Sequence, residues 1–349
     1  MSFGIKVFSK TGPSYNLDSD CTAMSIIGAL ASNVTTETGL YVPEGYDYHA
    51  HLSDPCGFGT YFSDEINSDV IYTSIAPVPY LDDRRQLCFK NGKYARDYFG
   101  SPSEVTVISD QQLILLAWPK PTKASGNGIL FNGVNSFFQI NQNTNFTNVV
   151  WKGDIEISNE GWRVQNIDPN LSHHNSFVFF YCEDPTLSIG RRWRDDDRGK
   201  MVYAPYDHNG YLSKRTIKVK AVVFGISSIK KSKYGLRIYK KNRVVYDSCN
   251  EVLINPVITS FENYPLGQMQ SIKGIRRPMV ARGSVGSRYF STGNAGWFCD
   301  IGLRSNGYQL STTEQIFYKT YWLDSDLNFS SFISEQPVMV LDAENYFNF

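Results

Sequence analysis

Along this chain apolar residues come in alternation with polar ones or in short unbroken runs, and hardly ever at the i, i+3, i+4 spacing of a helix. Such runs, bounded by Gly, Pro, Asn, Asp and Ser, fall at 4–8, 70–75, 105–108, 112–118, 177–181, 217–224, 235–239, 243–246, 315–322 and 337–341. These are strand lengths. The segment 20–31, DCTAMSIIGALA, is the single place with even an ambiguous helical pattern. The reading is an all-β chain of β-sandwich-like modules, because many strands recur with turn signals between them.

One strand pattern occurs more than once. Phe3, Gly4, Ile5, Lys6, Val7 and Phe8 lead through a turn-like segment at 9–13 into a second strand that ends in Asp18 and Ser19. Tyr234, Gly235, Leu236, Arg237, Ile238 and Tyr239 repeat the order aromatic, Gly, aliphatic, basic, aliphatic, aromatic, and their second strand ends in Asp247 and Ser248. A more distant copy begins at Gly128, turns at 132–135 and ends at Asn141, without the Asp-Ser. From Gly4 to Asp18, Gly128 to Asn141 and Gly235 to Asp247 the separations are 14, 13 and 12 residues, as one hairpin with turns of different length would give. Three starts predict three tandem β-sandwich-like modules, 1–122, 123–228 and 229–349. The Pro, Gly, Ser and Lys-rich segments 119–127 and 225–233 would link them.

This hairpin, most clearly at 234–248 and next at 3–19, resembles the opening of a family of β-rich tail-tip and tail-fibre proteins of tailed bacteriophages. The resemblance rests directly on the two or three short copies, and the rest of each module is similar in its strand-and-loop character. It implies a virion component with a structural or receptor-contacting role, and it implies no catalytic residue.

Composition narrows the partners. Lys and Arg total 34 and Asp and Glu 34, a formal net charge of +0, so there is no overall field to hold a nucleic acid or an anionic membrane. Aromatics at 14% against charged residues at 19% favour strands and weigh against disorder. No apolar run is long enough to span a membrane, and the start MSFGIKVFSKTG lacks a signal peptide's basic and apolar regions. Six cysteines without a CxxC pair read as reduced, mostly buried thiols. Synthesis in a host cytoplasm followed by assembly into a virion tail is the expected route.

Candidate chemistry is sparse. Asp47, His49 and His51 would share one face of a strand, as metal ligands can, but no further ligand at metal-site spacing completes them, so a polar, aromatic-rich loop or edge strand with solvated histidines is the simpler reading. Acidic neighbours at 64–65, 82–83 and 195–197 read as solvated loops rather than a glycosidase pair, and Asp18 and Asp247 as turn-formers. No P-loop and no Gly-x-Ser-x-Gly element occurs. No catalytic, cofactor-binding or metal-binding residue is therefore assigned. Tyr46, Tyr48, Trp193 and Tyr206, set among Gly, Asp, Arg and His, are the candidate receptor or partner contacts. The expected function is a non-enzymatic structural part of a phage tail, contacting other tail proteins and copies of itself as a homo-oligomer, with a host cell-surface receptor as a further partner. The alternatives are an adhesin for surface polysaccharide or an outer-membrane protein, and a polysaccharide depolymerase.

Overall fold

A computed structural model describes residues 4–7, 13–18, 22–35, 37–53, 57–62, 70–90, 92, 94–96, 107–120, 128–132, 137–141, 146–172, 175–193, 201–225, 231, 233, 235–240, 242–281, 284–292, 295–321 and 330–349. The described residues are all-β apart from two single-turn 3-10 helices, and the named strands pair antiparallel, with one parallel single-residue bridge between Asn209 and Glu314.

The chain opens on a hairpin of β1 (Gly4–Val7) and β2 (Tyr15–Asp18), with Gly4 opposite Asp18. It continues through β3 (Ser25–Thr35), β4 (Glu37–Tyr41), β5 (Tyr46–Leu52), β6 (Gly57–Phe62), β7 (Val70–Ile75), β8 (Val78–Leu81), β9 (Gln86–Lys90) and β10 (Tyr94–Arg96) to β11 (Val107–Pro119). β11 returns between β3 and β5, while β4-β9-β8 and β10-β7-β6 form two further sheets. A second hairpin follows, β12 (Gly128–Asn132) with β13 (Phe137–Asn141), and Gly128 lies opposite Asn141. Next come β14 (Asn148–Ile157), β15 (Ser176–Tyr181), β16 (Leu187–Trp193), β17 (Met201–Asp207) and β18 (Ile217–Gly225), and β18 returns between β14 and β15. The third hairpin pairs β19 (Arg237–Lys240) with β20 (Arg243–Asp247). After it run β21 (Val257–Thr259), β22 (Pro278–Val280), β23 (Gly286–Thr292), β24 (Ala295–Ser305), β25 (Leu310–Tyr321), β26 (Ser330–Ile333) and β27 (Val338–Asp342), and β27 returns between β21 and β22.

The same plan thus occurs three times: a hairpin, a first strand, and a last strand that inserts between the first strand and a later one. The inserted strands β11, β18 and β27 carry unbroken apolar stretches at 113–118, 221–224 and 338–341. Burial on both faces explains why no polar residue interrupts these stretches, while Lys218 and Lys220 alternate with apolar residues at the start of β18. One face of each contributes to a shared central core, with Ile114 and Leu116, Val222 and Phe224, and Met339 and Leu341 meeting Phe177, Phe179 and Met279. Their alternate residues point into three separate cores. Leu113, Leu115 and Ala117 join Leu52 and Phe89; Val219, Ala221 and Val223 join Val178 and Trp162; Val338 and Val340 join Ile301 and Leu310.

The repeats are not sealed from one another. Phe180 on β15 pairs with Val280 on β22, and Ser188 on β16 pairs with Arg304 on β24, so strands from 123–228 and 229–349 share both six-stranded sheets. The described residues of the segment 20–31 form no helix: from Ser25 they are part of β3. Met24 and Ile26 face the central core while Ile27 and Leu30 pack on the core beneath Leu52 and Phe89, a two-sided burial that overrides its weak helical spacing.

Candidate assembly site

The three hairpins lead to one place. Six residues beyond the hairpin ends Asp18, Asn141 and Asp247 stand Met24, Thr147 and Leu253. The Thr147 N–H donates to the Met24 carbonyl at 3.0 Å, the Leu253 N–H to the Thr147 carbonyl at 2.8 Å, and the Met24 N–H to the Leu253 carbonyl at 3.4 Å. Three backbone hydrogen bonds close a cycle, each segment donating to one neighbour and accepting from the other. Single-residue bridges frame it, pairing Ser25 with Phe146, Asn148 with Val252 and Ala23 with Ile254.

Side chains alternate across this ring as they do along a strand. Met24 and Leu253 enter the central core. Their predecessors Ala23 and Val252, with Phe146, join Leu17, Tyr246 and Ile254 in a separate core against the hairpins. Leu17 and Tyr246 hold the same place in their copies, one residue before the hairpin end, and both are fully buried. The Phe146 ring meets Tyr246 edge-on, with centroids 5.4 Å apart.

The third copy shows what the Asp-Ser ending does. Asp247, fully buried, accepts from the Cys249 N–H at 3.0 Å and from Arg237 Nε at 2.7 Å. Ser248 clasps the first strand: Leu236 N–H donates to its Oγ at 3.0 Å, and its own N–H donates to the Leu236 carbonyl at 2.9 Å. Asp247 is therefore the turn-former that the sequence suggested, and its partner is the basic residue of the repeated pattern. Asn242, in the left-handed region at φ 65°, closes the short connection between Lys240 and Arg243.

The aromatic contacts expected from sequence do not gather in one place. Tyr46 and Tyr48 lie half-buried on β5, packed against the core beneath Leu52 and Phe89, and burial raises the Tyr48 phenol against the attraction of Arg85. Tyr206 on β17 is 3% exposed beside Ala204, a core ring rather than a surface contact. The side chain of Trp193 lies outside the described residues, as do the acidic neighbours at 64–65 and 195–197. His49 and His51 are not solvated; they are buried opposite Leu116 and Ile114, with the His51 ring 5.4 Å from that of Phe177. Their side of β5 faces the central core, which the polarity of YDYHAHL disguised. Among the described residues no group of three or more His, Cys, Asp or Glu could hold a metal ion.

Exposed aromatics sit elsewhere. Tyr41 and Tyr80, on the strands flanking β9, are about half-exposed. Tyr41 Oη donates to Gln86 Oε1 at 3.2 Å, and Arg84 Nη2 donates to the same oxygen at 3.0 Å. At the seam between the second and third repeats, the Arg277 guanidinium lies 4.0 Å from the Phe349 ring centroid and 4.9 Å from that of Tyr308. It also donates to Tyr181 Oη at 2.7 Å. Burial, then the hydrogen bond to Glu183, push the Tyr181 phenol up. Alternation within a strand could have flagged Tyr41 and Tyr80; no local signal marks Arg277, whose partners are distant in sequence.

No curated protein and no solved structure matches the chain. A family model covers residues 113–321, from the inserted strand of the first repeat through the second repeat and into β25 of the third. That is more than half of the sequence, and the chain belongs to this family, described as a family of unknown function (DUF6453).

Proposed function

We propose that the chain is a non-enzymatic structural part of a bacteriophage tail, at the tip or in a fibre, built of three β-sandwich-like modules that contact neighbouring tail proteins. The observation that carries this reading is the ring of Met24, Thr147 and Leu253 beneath three repeated hairpins. The motif that resembles tail proteins is the element that ties three units together, so its recurrence serves a rigid body rather than a cleft. Buried inserted strands supply the stiffness an appendage requires. The test is mass spectrometry of purified particles from cells that make the chain, with antibody-gold labelling of the tail. The chain should be found in the particles with label at the tail; its absence from them overturns the reading.

Host contact is a second reading, favoured by Tyr41 and Tyr80 on the outer side of β4-β9-β8. Free protein should then block adsorption of particles to host cells, and the Tyr41→Ala, Tyr80→Ala double variant should not.

A further inference from the structure

We infer that this single chain is a pseudo-trimer, and that the hairpin side of its ring is the docking face for a three-fold symmetric partner, a homotrimeric protein of which each subunit meets one hairpin. The inference rests on the reading of the chain as an assembly part and adds the symmetry of what it assembles with.

Three independent features carry it. The ring is cyclic: each of Met24, Thr147 and Leu253 gives one hydrogen bond and takes one, in the same sense around the ring. The spacing is identical, six residues from each hairpin end to its ring residue, although the hairpins differ in length. The sheet that follows each hairpin has the same order, β3-β11-β5, β14-β18-β15 and β21-β27-β22. A closed cyclic interface normally joins three copies of one chain. Here it is closed within one chain, so the ring offers no valence for recruiting further copies.

On the hairpin side of the ring this arrangement sets one backbone motif three times, as β1-β2, β12-β13 and β19-β20. A partner with a single site could use one hairpin only. A homotrimer can use all three, and each contact after the first forms at high effective concentration, which raises affinity without any new kind of contact. The equivalence is strongest at the ring and hairpins and weakest in the outer sheets, where β15 pairs with β22 and, among the described residues, the first repeat has no counterpart of that pairing. A partner that requires three-fold equivalence must therefore meet the hairpin side. Tyr239, 51% exposed on β19, is a contact such a partner would make.

The experiment isolates tagged full-length chain from the cells that make it, weighs the native complexes by mass spectrometry and images them by cryo-electron microscopy. The expected result is one copy of the chain with three copies of one partner, all three hairpins engaged. Tyr239→Ala should loosen the complex by about tenfold while the variant melts like wild type. Recovery as an uncomplexed monomer, as a trimer or hexamer of itself, or in a complex engaging one hairpin overturns the inference. A one-to-three complex absent from virions leaves the inference standing and removes the tail reading. Three or six copies of the chain around a tail axis do the reverse.

Discussion

The N–H of Leu253 donates a 2.8 Å hydrogen bond to the carbonyl of Thr147, joining the segment after the third hairpin to the segment after the second. The bond matters for the whole molecule because its two neighbours in the ring bring in Met24 and so the first repeat. Side chains next to these three backbone units alternate between the hairpin core and the central core. A change at the ring is therefore felt on both sides.

Thr147 is the irregular member. Its side chain is buried and its Oγ1 meets no hydrogen-bond partner, whereas the equivalent positions hold the apolar Met24 and Leu253. Thr147→Val keeps the shape and removes a desolvated hydroxyl, so it should stabilise the protein by about 1 kcal/mol. A urea midpoint that moves up with unchanged slope is the expected observation; a fall would mean that the hydroxyl is satisfied by water.

Asp247 makes the opposite case. Its carboxylate is fully buried and takes hydrogen bonds from the Cys249 N–H and from Arg237 Nε. Asp247→Ala leaves the turn N–H without its acceptor and takes the buried carboxylate away from the Arg237 guanidinium, and should cost about 3 kcal/mol. Asp247→Asn, which keeps an acceptor for the N–H, should cost less. Thermal melts of the two variants, compared with wild type, give that order directly.

Much of this was legible in the sequence, for identifiable reasons. The hairpin pattern marks its own ends, because Gly, alternating aliphatics and Asp-Ser are local chemistry, and all three starts at Gly4, Gly128 and Gly235 lead into hairpins. The apolar-rich runs at 112–118, 217–224 and 337–341 read as strands, and fall on β11, β18 and β27. Hidden from the sequence was that the hairpins converge, since the ring is made of backbone groups that any residue supplies. The alternation at Tyr206 was obscured by Pro205 and Asp207, which made a buried strand position look like a loop. His49 and His51 misled through polarity: both ride the buried side of β5.

Gly286 tests how closely the strands of the second sheet approach. It begins β23 opposite Ile333 of β26, and a Cβ placed on it would collide with the backbone carbonyl oxygen of Phe332. A backbone atom held in a sheet cannot swing aside as a side-chain end would. Gly286→Ala should therefore destabilise by about 2 kcal/mol through strain. The control is Gly267→Ala at an exposed turn, where space is open but φ is +83°, so its cost comes from backbone conformation alone, about 1 kcal/mol. Urea titrations should rank the two in that order.

The thiols link burial to pH. Burial pushes Cys182 up to about 11 and Cys299 up to about 12, while Cys249 is exposed. At pH 8 a water-soluble disulfide reagent should modify Cys249 in the folded protein and reach Cys182 and Cys299 only after denaturant is added, which peptide mapping would resolve. The sign of the stability effect follows from where each proton is held. Above the ordinary thiol value of roughly 8.5 the unfolded chain releases protons that the folded chain keeps, so folding stability falls as pH rises. The loss runs at about 1.4 kcal/mol per pH unit for each such thiol, and it ends as the folded thiols ionise. Cys182→Ala should be less stable than wild type at pH 7 yet decline less steeply between pH 9 and 11. Parallel declines for the two proteins across that range would show that the Cys182 thiol ionises as readily in the fold as in the unfolded chain.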